Sequence, residues 1–265
     1  MNLDQAYDNV AVIPGAADFP DKWTERAAAF RVLMSDAGRA TLDQPYGDSP
    51  RQAIDFFRPE GDAKGLCIFI HGGYWRRFDR SFWSHLANGP LTNGWSVCIP
   101  SYDLCPNVSI ASITRQIAFA VTKAAAAIEG PITLCGHSAG GHLVARMLQP
   151  GLLPEVVAAR LTHIASISPI SDLRPLIQTS VNVELQLDEA SARAESPIFM
   201  NSRHNVPVQV WVGSEELPGF LDQARWLSEA WSCPQIIDHG SNHFTIIEAL
   251  ENAESRLTRA CLGMA

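Results

Sequence analysis

Short, continuously apolar runs alternate with helical patterns from about residue 65 onward, and this alternation constrains the fold more than any other feature. The runs are residues 65–71, 95–100, 131–136, 161–167 and 206–212. Apolar residues occupy successive positions rather than every second one, which is typical of strands covered on both faces. Strands that alternate with helices form parallel sheets through right-handed crossovers. The sequence therefore predicts an α/β fold, with a mostly parallel twisted sheet and helices on both faces.

The helical pattern is clearest between Ser109 and Glu129. Apolar residues stand at positions 110, 113, 117, 121, 124 and 128, and steps of three and four residues place them on one helical face. Ser109 is suited to cap the N-terminus of this helix, and Gly130 is suited to end it. Further helices are predicted over residues 141–148 and 219–231.

Two regions depart from the alternation. The first 60 or so residues predict one amphipathic helix, about Lys22 to Asp36, followed by an antiparallel hairpin at the sheet edge. Residues 171–205 lie between two predicted strands, and they are either a small helical lid over the carboxyl edge of the sheet or an unusually long crossover. No repeat or Gly/Ser/Pro-rich linker divides the chain, so residues 1–265 are expected to form one domain.

Charge and composition exclude several classes of protein. The chain has a formal net charge of −8 and a pI near 5.4, so nucleic acid and anionic membrane surfaces are not expected partners. Apolar runs such as residues 66–70 are far shorter than the roughly 18 residues of a membrane span. Six cysteines occur without zinc-ligand spacing or a visible export signal, so reduced thiols and a cytoplasmic location are expected.

A nucleophile motif follows one of the predicted strands. Gly136-His137-Ser138-Ala139-Gly140 matches G-x-S-x-G, with a buried strand before it and a helix after it. A turn this tight strains the serine backbone and projects its hydroxyl above the sheet at a helix N-terminus. Ser138 is therefore the candidate nucleophile.

Donors for a negatively charged oxygen are expected near this serine. The strand at residues 66–70 ends in His71-Gly72-Gly73-Tyr74-Trp75, whose glycines leave backbone N–H groups unshielded. Such groups stabilise the oxyanion of acyl transfer. Gly72, Gly73 and Tyr74 are predicted donors together with Ala139, and His71 is expected to tie the loop down through ring hydrogen bonds.

An orienting acid and a base are expected after the nucleophile, in the chain order Ser, acid, His. Glu216 is the favoured acid because it follows the strand at 206–212, with Glu215 and Asp172 as alternatives. His243 is the favoured base because it directly precedes a helical pattern, with His239 as its competitor.

The remaining histidines, at positions 85, 137, 142, 163 and 204, match no metal-ligand spacing. Neither G-x-G-x-x-G after a strand nor the phosphate-binding lysine motif occurs. No metal and no cofactor is therefore expected.

Several motifs together resemble the arylformamidase (kynurenine formamidase) branch of the α/β-hydrolase fold. They are His71-Gly72-Gly73-Tyr74-Trp75, Tyr102-Asp103-Leu104-Cys105-Pro106, Leu134 to Gly140 and His243-Phe244. The resemblance implies a metal-free serine hydrolase that cleaves N-formyl-L-kynurenine or a related aryl formamide. By position it makes Ser138 the nucleophile, Glu216 the acid and His243 the base. A carboxylesterase or thioesterase for small acyl groups would use the same residues.

The substrate is expected to be a small molecule. Trp75, Phe78 and Trp83, which follow the glycine loop, either line an aromatic-accepting pocket or pack in the core. Arg174, in the 171–205 segment, either pairs with a substrate carboxylate or lies on the surface. A homodimer is compatible with the sequence.

Overall fold

A sheet of eight strands organises the computed structural model, which describes residues 3–264. In chain order the strands are β1 (Ala40–Pro45), β2 (Ala53–Phe57), β3 (Leu66–Ile70), β4 (Ser96–Pro100), β5 (Ile132–His137), β6 (Leu161–Ile167), β7 (Val208–Gly213) and β8 (Gln235–Asp238). Their spatial order is β1-β2-β4-β3-β5-β6-β7-β8. Strand β2 runs antiparallel to β1 and to β4, and all other pairs are parallel.

Helices connect and cover these strands. They are α1 (Leu3–Tyr7), α2 (Asn9–Val12), α3 (Phe19–Asp36), α4 (Asn88–Thr92), α5 (Ile110–Ala127), α6 (Ala139–Arg146), α7 (Glu155–Ala158), α8 (Asn182–Leu185), α9 (Glu189–Glu195), α10 (Pro218–Trp231) and α11 (Arg256–Cys261). Short 3₁₀ turns occupy Ala16–Asp18, Arg80–Phe82, Ser84–Ala87, Arg174–Gln178, Pro197–Phe199 and Ile246–Glu251. The sheet with helices on both faces confirms the predicted α/β class.

The continuous apolar strands have the expected explanation. Leu134 and Cys135 are neighbours on β5, yet they belong to separate core clusters on opposite faces of the sheet. Side chains of a strand point alternately to its two faces, so a sheet covered twice needs apolar residues at every position. The cluster around Leu134 includes α5 and α10, and the cluster around Cys135 includes Trp23 of α3.

The predicted elements are found with shifted ends. Helix α5 begins after Ser109, whose side chain accepts a hydrogen bond from Ser112 N–H, and it ends at Ala127 because Ile128 is already extended. The expected N-terminal helix starts earlier than Lys22, at Phe19, and the edge hairpin is β1 with β2. Within residues 3–264, no helix combines the length and the apolar character needed to cross a membrane.

Candidate active site

Ser138 lies at a strained turn between β5 and α6. Its backbone has φ 57° and ψ −118°, a conformation that residues other than glycine rarely adopt. The turn closes because its glycines have no side chain: a Cβ on Gly140 would overlap the carbonyl oxygen of Ile70, and one on Gly136 would overlap that of Gly140. Ser138 N–H also donates to Ile167 O of the neighbouring strand at 2.9 Å.

Glu216 and His243 meet at the carboxyl end of β7. His243 Nδ1 lies 2.7 Å from Glu216 Oε2. The other carboxylate oxygen, Oε1, accepts the N–H of Gly213 at 2.9 Å and the hydroxyl of Ser168. A carboxylate only accepts, so Nδ1 of His243 donates this hydrogen bond, and in the tautomer that this bond selects Nε2 is the acceptor nitrogen. Nε2 makes no hydrogen bond to any group of residues 3–264. It can therefore accept a proton from a group in the cavity.

The alternative acids and base lie elsewhere. Glu215 is exposed, although it neighbours Glu216 in the chain. The carboxylate of Asp172 is held by the guanidinium of Arg174, at 2.8 Å from Nη2. His239 is exposed on the loop after β8. Of the candidates, only Glu216 is brought against His243.

A cavity of about 520 Å³ opens above the turn, and both Ser138 and His243 line it. No hydrogen bond joins these two side chains in the described chain, which is common for a catalytic pair without substrate. The loop at Gly72 and Gly73 forms the next part of the wall. A Cβ on Gly72 would lie 2.9 Å from Ser138 Cβ, so the loop passes directly beside the serine.

The expected oxyanion donors have free N–H groups. Across residues 3–264, the amides of Gly72, Gly73, Tyr74 and Ala139 donate to no carbonyl and no side chain. Gly73 and Tyr74 have φ of 109° and 52°, so the loop turns sharply between the strand end and the cavity. Gly72, Gly73 and Tyr74 line the cavity, whereas Ala139 follows the serine at the start of α6.

Two buried histidines flank the site in neutral form. His71 Nδ1 donates to Gly72 O at 2.7 Å, and its ring stacks on Tyr102 at 4.4 Å, so the loop is tied down as predicted. Burial lowers the pKa of His71 to about 4. Burial, and then the neighbouring His243, lowers the pKa of His137 well below its usual value. The His137 ring centroid lies 4.5 Å from that of His243.

Two of the predicted pocket residues are corrected. Trp75 does not line the cavity: its backbone turns at φ 55° and buries the indole against His142, with ring centroids 5.0 Å apart. Arg174 lies outside the cavity as well, because it pairs with Asp172 and its guanidinium stands over the ring of Phe199. Phe78 and Trp83 do line the cavity.

Sequence reasoning missed one wall of the cavity. The wall is contributed by the segment before α3, including Tyr7, Asp8, Val10 and Ala17. This stretch has neither a helical nor a strand period, and its contacts with the site are all distant in sequence. The 171–205 segment contributes only residues 179–181. Within residues 3–264, no group of His, Cys, Asp or Glu is arranged to hold a metal ion.

The chain is similar to known hydrolases in sequence and in fold. No family model matches the chain. Kynurenine formamidases of Salmo salar and Danio rerio are 26% and 28% identical, each over 92% of this chain and 93% of theirs. A Silicibacter sp. TM1040 structure, provisionally described as a thioesterase, is 53% identical with a TM-score of 0.96 over 99% of both chains. Esterase B of Lactobacillus rhamnosis has a TM-score of 0.67 at 17% identity, over 94% of this chain and 92% of that one.

The sheet order, the serine turn and these structural likenesses define an α/β hydrolase. Among these hydrolases the chain resembles the arylformamidase family and its esterase-like relatives. It is a hydrolase enzyme.

Proposed function

We propose that the protein is a serine hydrolase that removes a small acyl group, formyl above all, from an aryl amide through an acyl-serine intermediate. The observation that carries this proposal is the 2.7 Å contact between His243 Nδ1 and Glu216 Oε2 beside a cavity that Ser138 also lines. The names of the formamidase relatives support N-formyl-L-kynurenine, or a similar aryl formamide, as substrate.

The first half of the reaction forms the acyl-enzyme. His243 Nε2 takes the hydroxyl proton of Ser138 while Glu216 holds the ring and stabilises the resulting imidazolium. The serine oxygen then attacks the acyl carbon, and the free amides of Gly72, Gly73, Tyr74 and Ala139 surround the developing oxyanion. Donors placed in advance for such a charge are each worth about 10²–10³-fold in rate.

The second half releases both products. Protonated His243 gives its proton to the departing amine, because an amide anion is a poor leaving group and an amine is a good one. Water then enters the same position, loses a proton to His243 and attacks the acyl carbon bound to Ser138. This second intermediate then collapses, and protonated His243 returns its proton to the departing Ser138 oxygen, which releases the acid and restores the free hydroxyl.

A carboxylesterase or thioesterase is the second candidate. The provisional thioesterase description of the Silicibacter relative favours it, and the same three side chains would perform it. The choice between the candidates is one of leaving group, not of catalytic residues.

Wild type and Ser138→Ala should be assayed with N-formylkynurenine and with a series of p-nitrophenyl esters and acyl thioesters. We expect wild type to prefer the formamide and the variant to lose at least about 10³-fold in turnover while keeping its fold. Fast turnover of short esters or thioesters with no Ser138-dependent formamide hydrolysis would favour the second candidate. A fluorophosphonate probe that leaves Ser138 unmodified in folded protein would overturn the acyl-serine mechanism altogether.

A further inference from the structure

Residues 3–18, here called the N-terminal cap, form a wall over the candidate active site. Three hydrogen bonds hold the cap in place. Tyr74 hydroxyl donates to Tyr7 O at 2.6 Å, Gln223 Nε2 donates to Tyr7 hydroxyl at 2.9 Å, and Ser180 N–H donates to the Asp4 carboxylate at 2.6 Å. These bonds join the cap to the glycine loop, to α10 and to the segment before α8. The cap is therefore fixed to two parts of the cavity wall, at Tyr74 and Ser180, and to α10 outside the cavity.

Apolar contacts connect the cap with the candidate base. The Tyr7 ring meets the edge of Phe220, with centroids 5.9 Å apart, and Phe220 lies 4.2 Å from the ring of His243. A Cβ on Gly219 would lie 2.5 Å from Ala6 O, so the cap packs directly on the first turn of α10. Tyr7 and Phe220 are both buried. The cap is thus part of the same packed unit as His243.

Another part of the cavity wall, here called the aromatic wall, is formed by aromatic side chains. Trp23 lies 4.6 Å from Trp83, 5.9 Å from Phe78 and 6.0 Å from Phe244, measured between ring centroids. All four of these side chains line the cavity. Aromatic rings prefer tilted or edge-on aromatic neighbours, and such pairs add stability beyond that of their buried area. A planar aromatic group would find matching neighbours on this side.

We propose that the N-terminal cap determines which leaving groups the enzyme accepts, by confining an aromatic leaving group between the cap and the aromatic wall. This inference rests on the proposed function, since a formyl group would fill little of the roughly 520 Å³ cavity and would leave the rest to the leaving group. The cap side is aliphatic where Val10 and Ala17 meet the cavity. A larger side chain at either position would reduce the space available to the aromatic ring of a leaving group.

Two neighbouring valines offer a matched comparison. Val10 is 51% exposed and lines the cavity, whereas Val12 is 46% exposed and does not line it. Their similar exposure means that a large side chain at either position is tolerated by the fold. Val10→Trp therefore tests the cap, and Val12→Trp is its control. Ala17→Trp, at another exposed lining position, is the second test variant.

The measurement is kcat/KM for 1-naphthyl acetate divided by kcat/KM for methyl acetate. We expect Val10→Trp and Ala17→Trp to lower this ratio at least about tenfold, because a clash with one ring costs about 1.4 kcal/mol or more. Val12→Trp is expected to leave it unchanged. An unchanged ratio in both cap variants, or an equal loss in the control, would overturn the inference.

A binding experiment separates this inference from the proposed function. Titration calorimetry of 2′-aminoacetophenone, an aryl amine product mimic, is carried out with Ser138→Ala as the background. We expect binding that Val10→Trp weakens about tenfold and Val12→Trp does not change. Such a result supports the cap even if no substrate is hydrolysed. An undetectable affinity in the Ser138→Ala background, or equal affinity in all three proteins, would contradict it.

Discussion

His243 Nδ1 and Glu216 Oε2 are 2.7 Å apart, although 27 residues of chain separate the two side chains. The contact forms because β7 ends at Gly213, whose N–H holds the second carboxylate oxygen of Glu216, while the loop after β8 carries His243 to the same edge. Ser168, which follows β6, donates its hydroxyl to that same second oxygen. Three consecutive strand ends thus fix the orientation of one carboxylate.

Replacement of Glu216 tests the role of this carboxylate. We expect Glu216→Gln to lower kcat about 10³–10⁴-fold, because an amide next to Nδ1 no longer favours the tautomer with its lone pair on Nε2 and cannot stabilise the imidazolium. The adjacent Glu215 is exposed and supplies the control, since Glu215→Gln removes the same charge from the same loop. Steady-state kinetics on both variants, with circular dichroism to check their fold, provides the comparison. Equal losses in the two variants would assign the effect to charge in the loop and not to the contact with His243.

A buried ion pair behind the site should contribute strongly to stability. Glu195 Oε2 accepts the Thr114 hydroxyl at 2.8 Å and lies 3.4 Å from Arg146 Nε. Both charged side chains are buried, and burial lowers the pKa of the Arg146 guanidinium. We expect Glu195→Gln to reduce the free energy of unfolding by about 3–5 kcal/mol, because it leaves a buried cation without its partner.

Urea unfolding measures this effect, and Glu229→Gln is the control. Glu229 pairs with Arg225 on an exposed face of α10, where ion pairs contribute little. Removing the charge of Glu229 should leave the urea concentration at the midpoint of unfolding unchanged. A loss under about 1 kcal/mol in Glu195→Gln would mean that water or another group compensates Arg146.

Buried neutral histidines should make the protein sensitive to mild acid. Burial first, and then the positive charge of Arg26, lowers the pKa of His85 to about 4, against about 6.5 in the unfolded chain. Between these two values the unfolded chain binds more protons, so stability is fully present above pH 6.5 and is lost as the pH falls towards 4. Each such group contributes a slope of at most about 1.4 kcal/mol per pH unit within that window.

His85 can be tested apart from the active site. We expect His85→Gln to flatten the fall in unfolding free energy between pH 6.5 and 4, as followed by urea titration at several pH values. His239 is exposed, so His239→Gln should leave the slope as it is in wild type. An unaltered slope in His85→Gln would show that His85 already takes up its proton in the folded protein. The nearby Glu251, whose Oε1 lies 3.9 Å from His85 Nε2, is the group able to cause this.

The elements that could be predicted from sequence are those with a local signal. The apolar runs became β3 to β7 because burial on both faces acts on every residue of a strand. Ser138 could be predicted as the candidate nucleophile because its turn has no room for side chains at positions 136 and 140. The glycines that this requires stand in the sequence motif itself. His243 could be placed from the chain order of the fold.

Other features depend on the direction in which a side chain points, or on contacts between residues far apart in the chain. A single sequence reveals neither. Glu215 and Glu216 occupy the same polar loop, and only the geometry at the end of β7 decides which one turns inward. The sequence left open whether Trp75 lines the pocket or packs in the core, and a left-handed backbone turn places it in the core. The hydrogen bond from Gln223 to Tyr7 joins residues 216 positions apart, so no local sequence pattern could predict the N-terminal cap.

The backbone conformation of Ser138 lowers the free energy of unfolding of the protein. A side chain held at φ 57° and ψ −118° costs on the order of 1–3 kcal/mol, and glycine would remove that cost at an entropic penalty of roughly 0.5–1 kcal/mol. A Ser138→Gly protein should therefore resist heat at least as well as its parent while having no nucleophile. Screening a library for thermal tolerance alone would enrich this inactive variant, so any stabilisation campaign on this scaffold needs an activity screen beside it.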